Sequence, residues 1–281
     1  MEAKDQQELD RLVATGVRIP PQPKVLIELR NKIATGDYSV RSVSRILGQD
    51  PGLVAMLFKA SRSAAFSRGR TFDKLDQVLQ VIGVKQTYNL VQAIALSTTI
   101  SDGKRKAFDI FWTRAAEVAQ LAALIAEDLV SVCNVFPDQA YMAGIFHECG
   151  VPVLMMRFPD YCKILHLEKV SCWPSLAEED AKFDVDHCTV GYLVARHWGL
   201  PDFVCAAIRY HHDLPVTELG AAASLVSIVQ LAIHFHHRIN DQPNAVWDKI
   251  GRGVMEELAL SYDDFEDYFE DVSVRFNQTD N

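Results

Sequence analysis

The chain has 281 residues, 49% of them hydrophobic and 23% charged, with a net charge of −9; that composition fits a globular protein of one large or two modest domains with a sizeable core. The charge is uneven, because residues 256–281 carry nine acidic side chains and one basic, Arg275, a net −8 that leaves the remainder nearly neutral. No basic face able to neutralise phosphates stands out, which argues against direct nucleic-acid binding.

Taken in order, the elements read as helices. "IPPQPKVLIELRNKIATG" has prolines at its entry, Gly36 at its exit, and Val25, Leu26, Leu29 and Ile33 at helical spacing between them. Ser39 is placed to cap a helix carrying Val40, Val43, Ile46 and Leu47 that stops at Gly48. Asp50-Pro51 supplies a cap and a first-turn proline for a helix buried through Leu53, Val54, Leu57 and Ala60. "SRSAAFSRGRTF" breaks the pattern and reads as a loop; Lys59, Arg62, Arg68 and Arg70 around it are expected to be solvated rather than to hold an anion. "KLDQVLQVIG" and "VKQTYNLVQAIALSTTI" give a short and a longer helix.

The polar stretch "SDGKRKAFD", 101–109, is the expected junction between an N-terminal lobe, 1–104, and a C-terminal lobe, 105–281. After it come a long amphipathic helix from about Phe111 to Val130, a helix from Pro137 ending in His147-Glu148, and one opening at Pro159 through "DYCKILHLEK". "PSLAEEDAKF" precedes "DVDHCTVGYLVARHWG", with Val190, Leu193 and Val194 on one face, and "LPDFVCAAIRYHH" follows. Three further helices are expected over 216–276. The apolar stretch 219–237 contains Ser224, Ser227, Gln230 and several histidines, so it reads as a buried core helix and not a membrane span. Phe265, Tyr268, Phe269 and Val272 recur at helical spacing, as expected of a C-terminal helix packed on its own domain, with a partner-docking helix as the alternative. No alternating strand pattern or hairpin signal occurs. The fold class is all-α.

Six cysteines occur without a CxxC pair, which argues against a zinc ribbon or thioredoxin-like site. The opening "MEAKDQQELDRL" lacks an apolar core, so no signal peptide is expected. Together these point to a cytoplasmic protein with reduced thiols, among them Cys149 as a packing residue. All nine histidines lie at or after His147. His147, His187 and the pair His211-His212 are spaced by 40 and 24 residues, so different helices would have to converge them, a natural way to bind a first-row metal.

The segments "ILGQDPGLVAMLFKASRSAAF" and "LDQVLQVIGVKQTYNLV", followed by "FWTRAAEVAQLAALIA", "AGIFHECG", "DHCTVGYLVARHWGLP" and "IRYHH", resemble the HD-related output domain (HDOD) family in fixed order from about residue 17 to 215. That resemblance implies an all-α fold with an N-terminal helical lobe and a lobe similar to HD-type metal-dependent phosphohydrolases. The enzymes use an early histidine, a His-Asp pair, further histidines and a late aspartate. Carried over, the early position falls at Arg114, the pair at His147 and Glu148, the later histidines at His187, His211 and His212, and the late acid near Gln230. The resemblance thus implies a metal site reduced to His147, Glu148, His187, His211 and His212. Arg114, permanently charged, is expected to pair with Glu148 in place of the metal. The expected function is a non-catalytic bacterial-type signalling module acting through protein contacts with signalling proteins, with no membrane or nucleic-acid partner. No cofactor is required, though a zinc, iron, manganese or nickel ion could sit at the remnant site. The alternatives are a metal-dependent phosphohydrolase on nucleotides or cyclic dinucleotides, and a pocket that binds a small nucleotide without turnover.

Overall fold

A computed structural model describes Gly16 and residues 23–62, 72–96, 102–213 and 217–279. Every regular element among them is helical, and none is long and apolar enough to cross a membrane. Two compact units occur, one within Pro20–Thr99 and one within Ile100–Asn281.

The first unit contains α1 (Lys24–Ala34), α2 (Val40–Leu47), α3 (Pro51–Ser61), α4 (Leu75–Ile82) and α5 (Val84–Leu96). The expected start and stop chemistry is present. Ser39 and Ser42 satisfy each other's backbone N–H groups at 3.1 and 2.9 Å, and Asp50 Oδ1 accepts the Leu53 N–H at 3.1 Å. Gly36 and Gly83 follow α1 and α4 with φ of +70° and +86°. Leu26, Leu29, Val43, Leu47, Leu53, Leu57, Val78, Leu79, Leu90 and Val91 form the core, while Val25 and Ile33 are only half-buried. Arg68 and Arg70 of the expected loop lie outside the described residues.

In the second unit the 101–109 stretch is mostly not linker. A 3-10 turn, Asp102–Lys104, leads directly into α6, Arg105–Cys133, which starts earlier than expected because Ala107 and Phe108 already belong to its buried stripe. It ends at Asn134 in the left-handed conformation. α7 (Pro137–Phe146) and α13 (Ala223–Ile239) pack against α6. A Cβ at Gly144 would lie 2.5 Å from Ala119 Cα, so α6 and α7 cross with their backbones nearly touching.

α8 (Gly150–Arg157) is an element the sequence pattern did not reveal. Pro152 sits in its first turn, where a missing N–H is harmless. Lys104 Nζ donates to the carbonyls of Met155 and Phe158 at its other end. The helix expected from Pro159 is only α9, Tyr161–Ile164, because His166 turns left-handed at φ +54°. α10 (Leu176–Phe183) ends at left-handed Asp184; α11 (His187–Trp198) is capped by Asp186, whose Oδ1 accepts the Thr189 N–H at 2.7 Å. α12 is Asp202–Tyr210. After a 3-10 segment, Thr217–Ala222, and α13 come α14 (Trp247–Glu257) and α15 (Phe265–Thr279). The apolar 219–237 stretch is indeed a core helix from Ala223, and Phe265, Val272 and Phe276 of α15 are buried against their own unit.

Candidate metal centre

The site is built where α8 and α11 cross. A Cβ on Gly150 would lie 2.0 Å from the His187 carbonyl oxygen and 2.7 Å from the Gly191 nitrogen. Only the absence of a side chain lets the turn that follows α7, carrying His147 and Glu148, rest against the start of α11. His187 is the first residue of α11, and His211 follows the last residue of α12. Three separate elements therefore deliver imidazoles to one place. His147 and His187 are fully buried, and His211 and Glu148 are 1% exposed.

The ring nitrogens are oriented by their outer partners. His147 Nδ1 lies 2.6 Å from the Gly144 carbonyl and His211 Nδ1 lies 2.9 Å from the Ile208 carbonyl. A carbonyl only accepts, so each Nδ1 carries the proton and each Nε2 carries a lone pair. His187 Nδ1 lies 2.7 Å from Glu179 Oε2, which also accepts the His187 backbone N–H at 3.0 Å. Its Nε2 therefore also faces inward, 3.4 Å from His211 Nε2. Two bare lone pairs repel at that distance in a dry interior, so a proton or a cation must lie between them. The Nε2 atoms of His147 and His212 and Oε2 of Glu148 are buried and have no hydrogen-bond partner.

Electrostatics follow from this burial. Desolvation lowers His147, with Glu148 pulling the other way. Burial and then the neighbouring imidazoles hold His211 and His212 well below the ordinary histidine value. Burial opposes charge on His187 as well, but Cys188 and Glu179 outweigh it and lift its pKa well above normal. Burial also raises the Cys188 thiol, keeping it neutral, so the Glu179 carboxylate is the partner that matters. Without a metal, His187 is the ring that holds the second proton.

Among the described residues, ligand atoms of His187, Cys188, His211 and His212 lie within 4.8 Å of one another. Cys188 is less well aimed: its Sγ is 3.8 Å from His211 Nδ1 and 3.9 Å from Nε2, hence not in line with the Nε2 lone pair. His147 and Glu148 adjoin the cluster without belonging to it. The His147 ring centroid is 5.0 Å from that of His211.

Arg114 departs from the pairing anticipated for it. It is buried on α6, but Nη2 donates to the Cys172 carbonyl at 2.9 Å and the guanidinium lies 4.1 Å above the Trp173 ring. Glu148 reaches it only through space, where its field opposes the lowering caused by burial. The reason is local: Trp173 offers a flat face and Cys172 a free carbonyl on the same side of α6. Gln230 is committed through its nitrogen, Nε2 donating to the carbonyls of Tyr210 at 3.2 Å and Asp213 at 2.7 Å, while its buried Oε1 has no hydrogen-bond partner. A groove of about 330 Å³ runs along α6, lined by Arg114, Glu117, His236 and Asn240 among others, and no cluster histidine lines it. Cys149 is buried, near the Gly191 carbonyl at 3.6 Å, with its thiol pKa raised by desolvation, as a packing residue should be.

Residues 19–214 match the model of the HDOD domain family. The chain belongs to the HDOD family. Among solved structures, one from Shewanella amazonensis named "Putative metal-dependent phosphohydrolase" has 19% identity, a TM-score of 0.70 and 99% coverage of both chains. Another, from Marinobacter aquaeolei and named "Putative signal transduction protein", has 19% identity and a TM-score of 0.67, covering 99% of this chain and 64% of that one. At such identities these likenesses establish the all-α HDOD fold. An uncharacterized protein of Treponema pallidum is 24% identical over 222 residues, 77% of this chain. This HDOD chain spans 42% of the length of that relative.

The HDOD site residues fit one kind of ion and not another. A metal bound at about 2.0–2.1 Å with tetrahedral angles separates its nitrogen ligands by about 3.3 Å, close to the 3.4 Å between His187 and His211 Nε2. A single imidazole-bound ion therefore fits. A carboxylate-rich pair of ions does not, because Glu148 stands outside the cluster, Arg114 offers no ligand and Gln230 offers an amide oxygen in place of a carboxylate. Sequence reasoning missed Glu179. The available signal was its position within a helix, "LAEEDAKF", eight residues before His187.

Proposed function

We propose that this HDOD chain is a non-catalytic regulatory module that acts through contacts with signalling proteins, its HD-type site reduced to a histidine cluster. The observation that carries this reading is the state of the two positions where the enzymes place further ligands. Arg114 is fixed over Trp173, and Gln230 is tied to two backbone carbonyls. Neither position offers a carboxylate, so an ion held here would rest on imidazoles. Without a bound metal, water at this site has no route to hydroxide at neutral pH.

The test is hydrolysis of bis-p-nitrophenyl phosphate with Mn²⁺, comparing wild type with His147→Ala. No His147-dependent turnover is expected. Turnover that vanishes in the variant would establish the second reading, a metal-dependent phosphohydrolase on nucleotide phosphodiesters. That reading is favoured by the unpartnered Glu148 Oε2 and His147 Nε2, both poised as acceptors.

A further inference from the structure

A carboxylate buried to 0% exposure needs a reason to be there, since its desolvation is costly unless every lone pair is used. Glu179 uses them on one target. Oε2 accepts both the backbone N–H and the ring Nδ1–H of His187, at 3.0 and 2.7 Å. Oε1 accepts the hydroxyl of fully buried Tyr161, which stops the carboxylate from rotating. The grip on main chain and ring together fixes which edge of His187 faces the cluster. That edge is Nε2, at tetrahedral spacing from His211 Nε2.

We propose that Glu179 is a positioning residue for a single ion site made of imidazoles, presetting His187 and His211 as a two-nitrogen seat for a borderline divalent cation. His212, within the same 4.8 Å cluster and with an unpartnered Nε2, supplies a further imidazole. Neutral imidazoles suit Zn²⁺, Ni²⁺ or Cu²⁺, whereas Mg²⁺ and Mn²⁺ want oxygen ligands. A carboxylate that receives the outer N–H of a ligating histidine fixes its tautomer and raises its basicity, and removing such a partner weakens metal binding about 10–100-fold. The proposal stands whether or not the chain hydrolyses anything.

The test titrates chelator-stripped full-length protein with Zn²⁺ against a chromophoric chelator. Wild type takes up one equivalent. Glu179→Gln binds about 10–100-fold more weakly, Tyr161→Phe loses a smaller factor in the same direction, and exposed Glu178→Gln matches wild type. Nitrogen-15 spectra of labelled histidines report the tautomer directly: His187 carries its proton on Nδ1 in the zinc-loaded wild type, and in Glu179→Gln that signal broadens or shifts towards the other tautomer. Failure of wild type to take up zinc overturns the ion site. Unchanged zinc affinity and an unchanged His187 signature in Glu179→Gln overturn the positioning role, even if that variant melts earlier. Should Glu179→Gln not fold, the same two readouts on Tyr161→Phe decide the matter.

Discussion

Replacing Gly150 with alanine should be among the most damaging single-methyl additions in the chain. The added Cβ would sit 2.0 Å from the His187 carbonyl oxygen, 2.9 Å from its carbonyl carbon and 2.7 Å from the Gly191 nitrogen. All three are backbone atoms of α11, so no side-chain rotation relieves the overlap, and α8 must move off α11 by roughly 1 Å or more to restore van der Waals separation. Overpacking in a core costs about 1–3 kcal/mol, and a backbone clash belongs at or above the top of that range. For a unit of this size 1 kcal/mol corresponds to about 2–4 °C in Tm, so Gly150→Ala should melt at least about 6 °C below wild type. Two controls bracket it. Gly191→Ala meets Ile208 Cγ2 at 2.9 Å and the Gly150 nitrogen at 3.0 Å, a milder overlap partly relieved by the isoleucine. Gly103→Ala meets nothing within 4 Å and should change Tm by less than about 2 °C. Thermal melts monitored by far-ultraviolet circular dichroism provide the comparison. A Gly150→Ala protein that melts with wild type would show that α8 and α11 do not cross at this point.

Arg114→Met should cost about 2–3 kcal/mol in urea denaturation, because it strands the Cys172 carbonyl and removes the stacked cation from Trp173. Stability should also fall in mild acid: His234 is depressed to about 3 and His237 to about 4, chiefly by burial. Both stay neutral when folded but take up protons near pH 6.5 when unfolded, so stability is full above that pH. It then declines as pH drops towards 4, by at most about 1.4 kcal/mol per pH unit per residue and less where solvent screens them. His234→Phe, which keeps the stack on Trp247 at 4.0 Å, should flatten that profile in urea titrations between pH 8 and 4.5. Val272→Ala should cost about 1 kcal/mol or more, whereas Val274→Ala, 55% exposed, should stay within about 0.5 kcal/mol. Equal effects would mean that α15 does not pack on its own unit.

Local rules made the first unit readable, since Ser39, Asp50, Pro51, Gly36 and Gly83 act within a turn of where they stand. The same rules failed where a long-range contact decides. α8 hides in "GVPVLMMR" because its glycine answers to α11, 37 residues away, and its proline falls in the first turn. Arg114 was legible as a misfit at a ligand position, but its partners, Cys172 and Trp173, arrive from a turn with no pattern of its own. The histidines could be named from the sequence because imidazole in an apolar helix is conspicuous. Glu179 could not, since a glutamate among "LAEED" looks solvated until α11 is laid over it.

Access supplies an argument about chemistry that ligand identity does not. A phosphodiesterase must bring a charged phosphate against its metal and its attacking water together. Here His147, Glu148 and His187 are 0–1% exposed, and His211 is 1% exposed; of the five candidate residues only His212 is partly open. A single ion is small enough to be held among side chains this buried, whereas a dinucleotide needs an opening wide enough for its phosphate to reach them. The Gly150–Gly191 crossing that places His187 is held by backbone-to-backbone contact. Loading the cluster with metal is then expected to stabilise this unit without creating a substrate site. Zinc should raise Tm while leaving phosphodiester hydrolysis at background, and a rise in turnover that tracks zinc occupancy would reverse that conclusion.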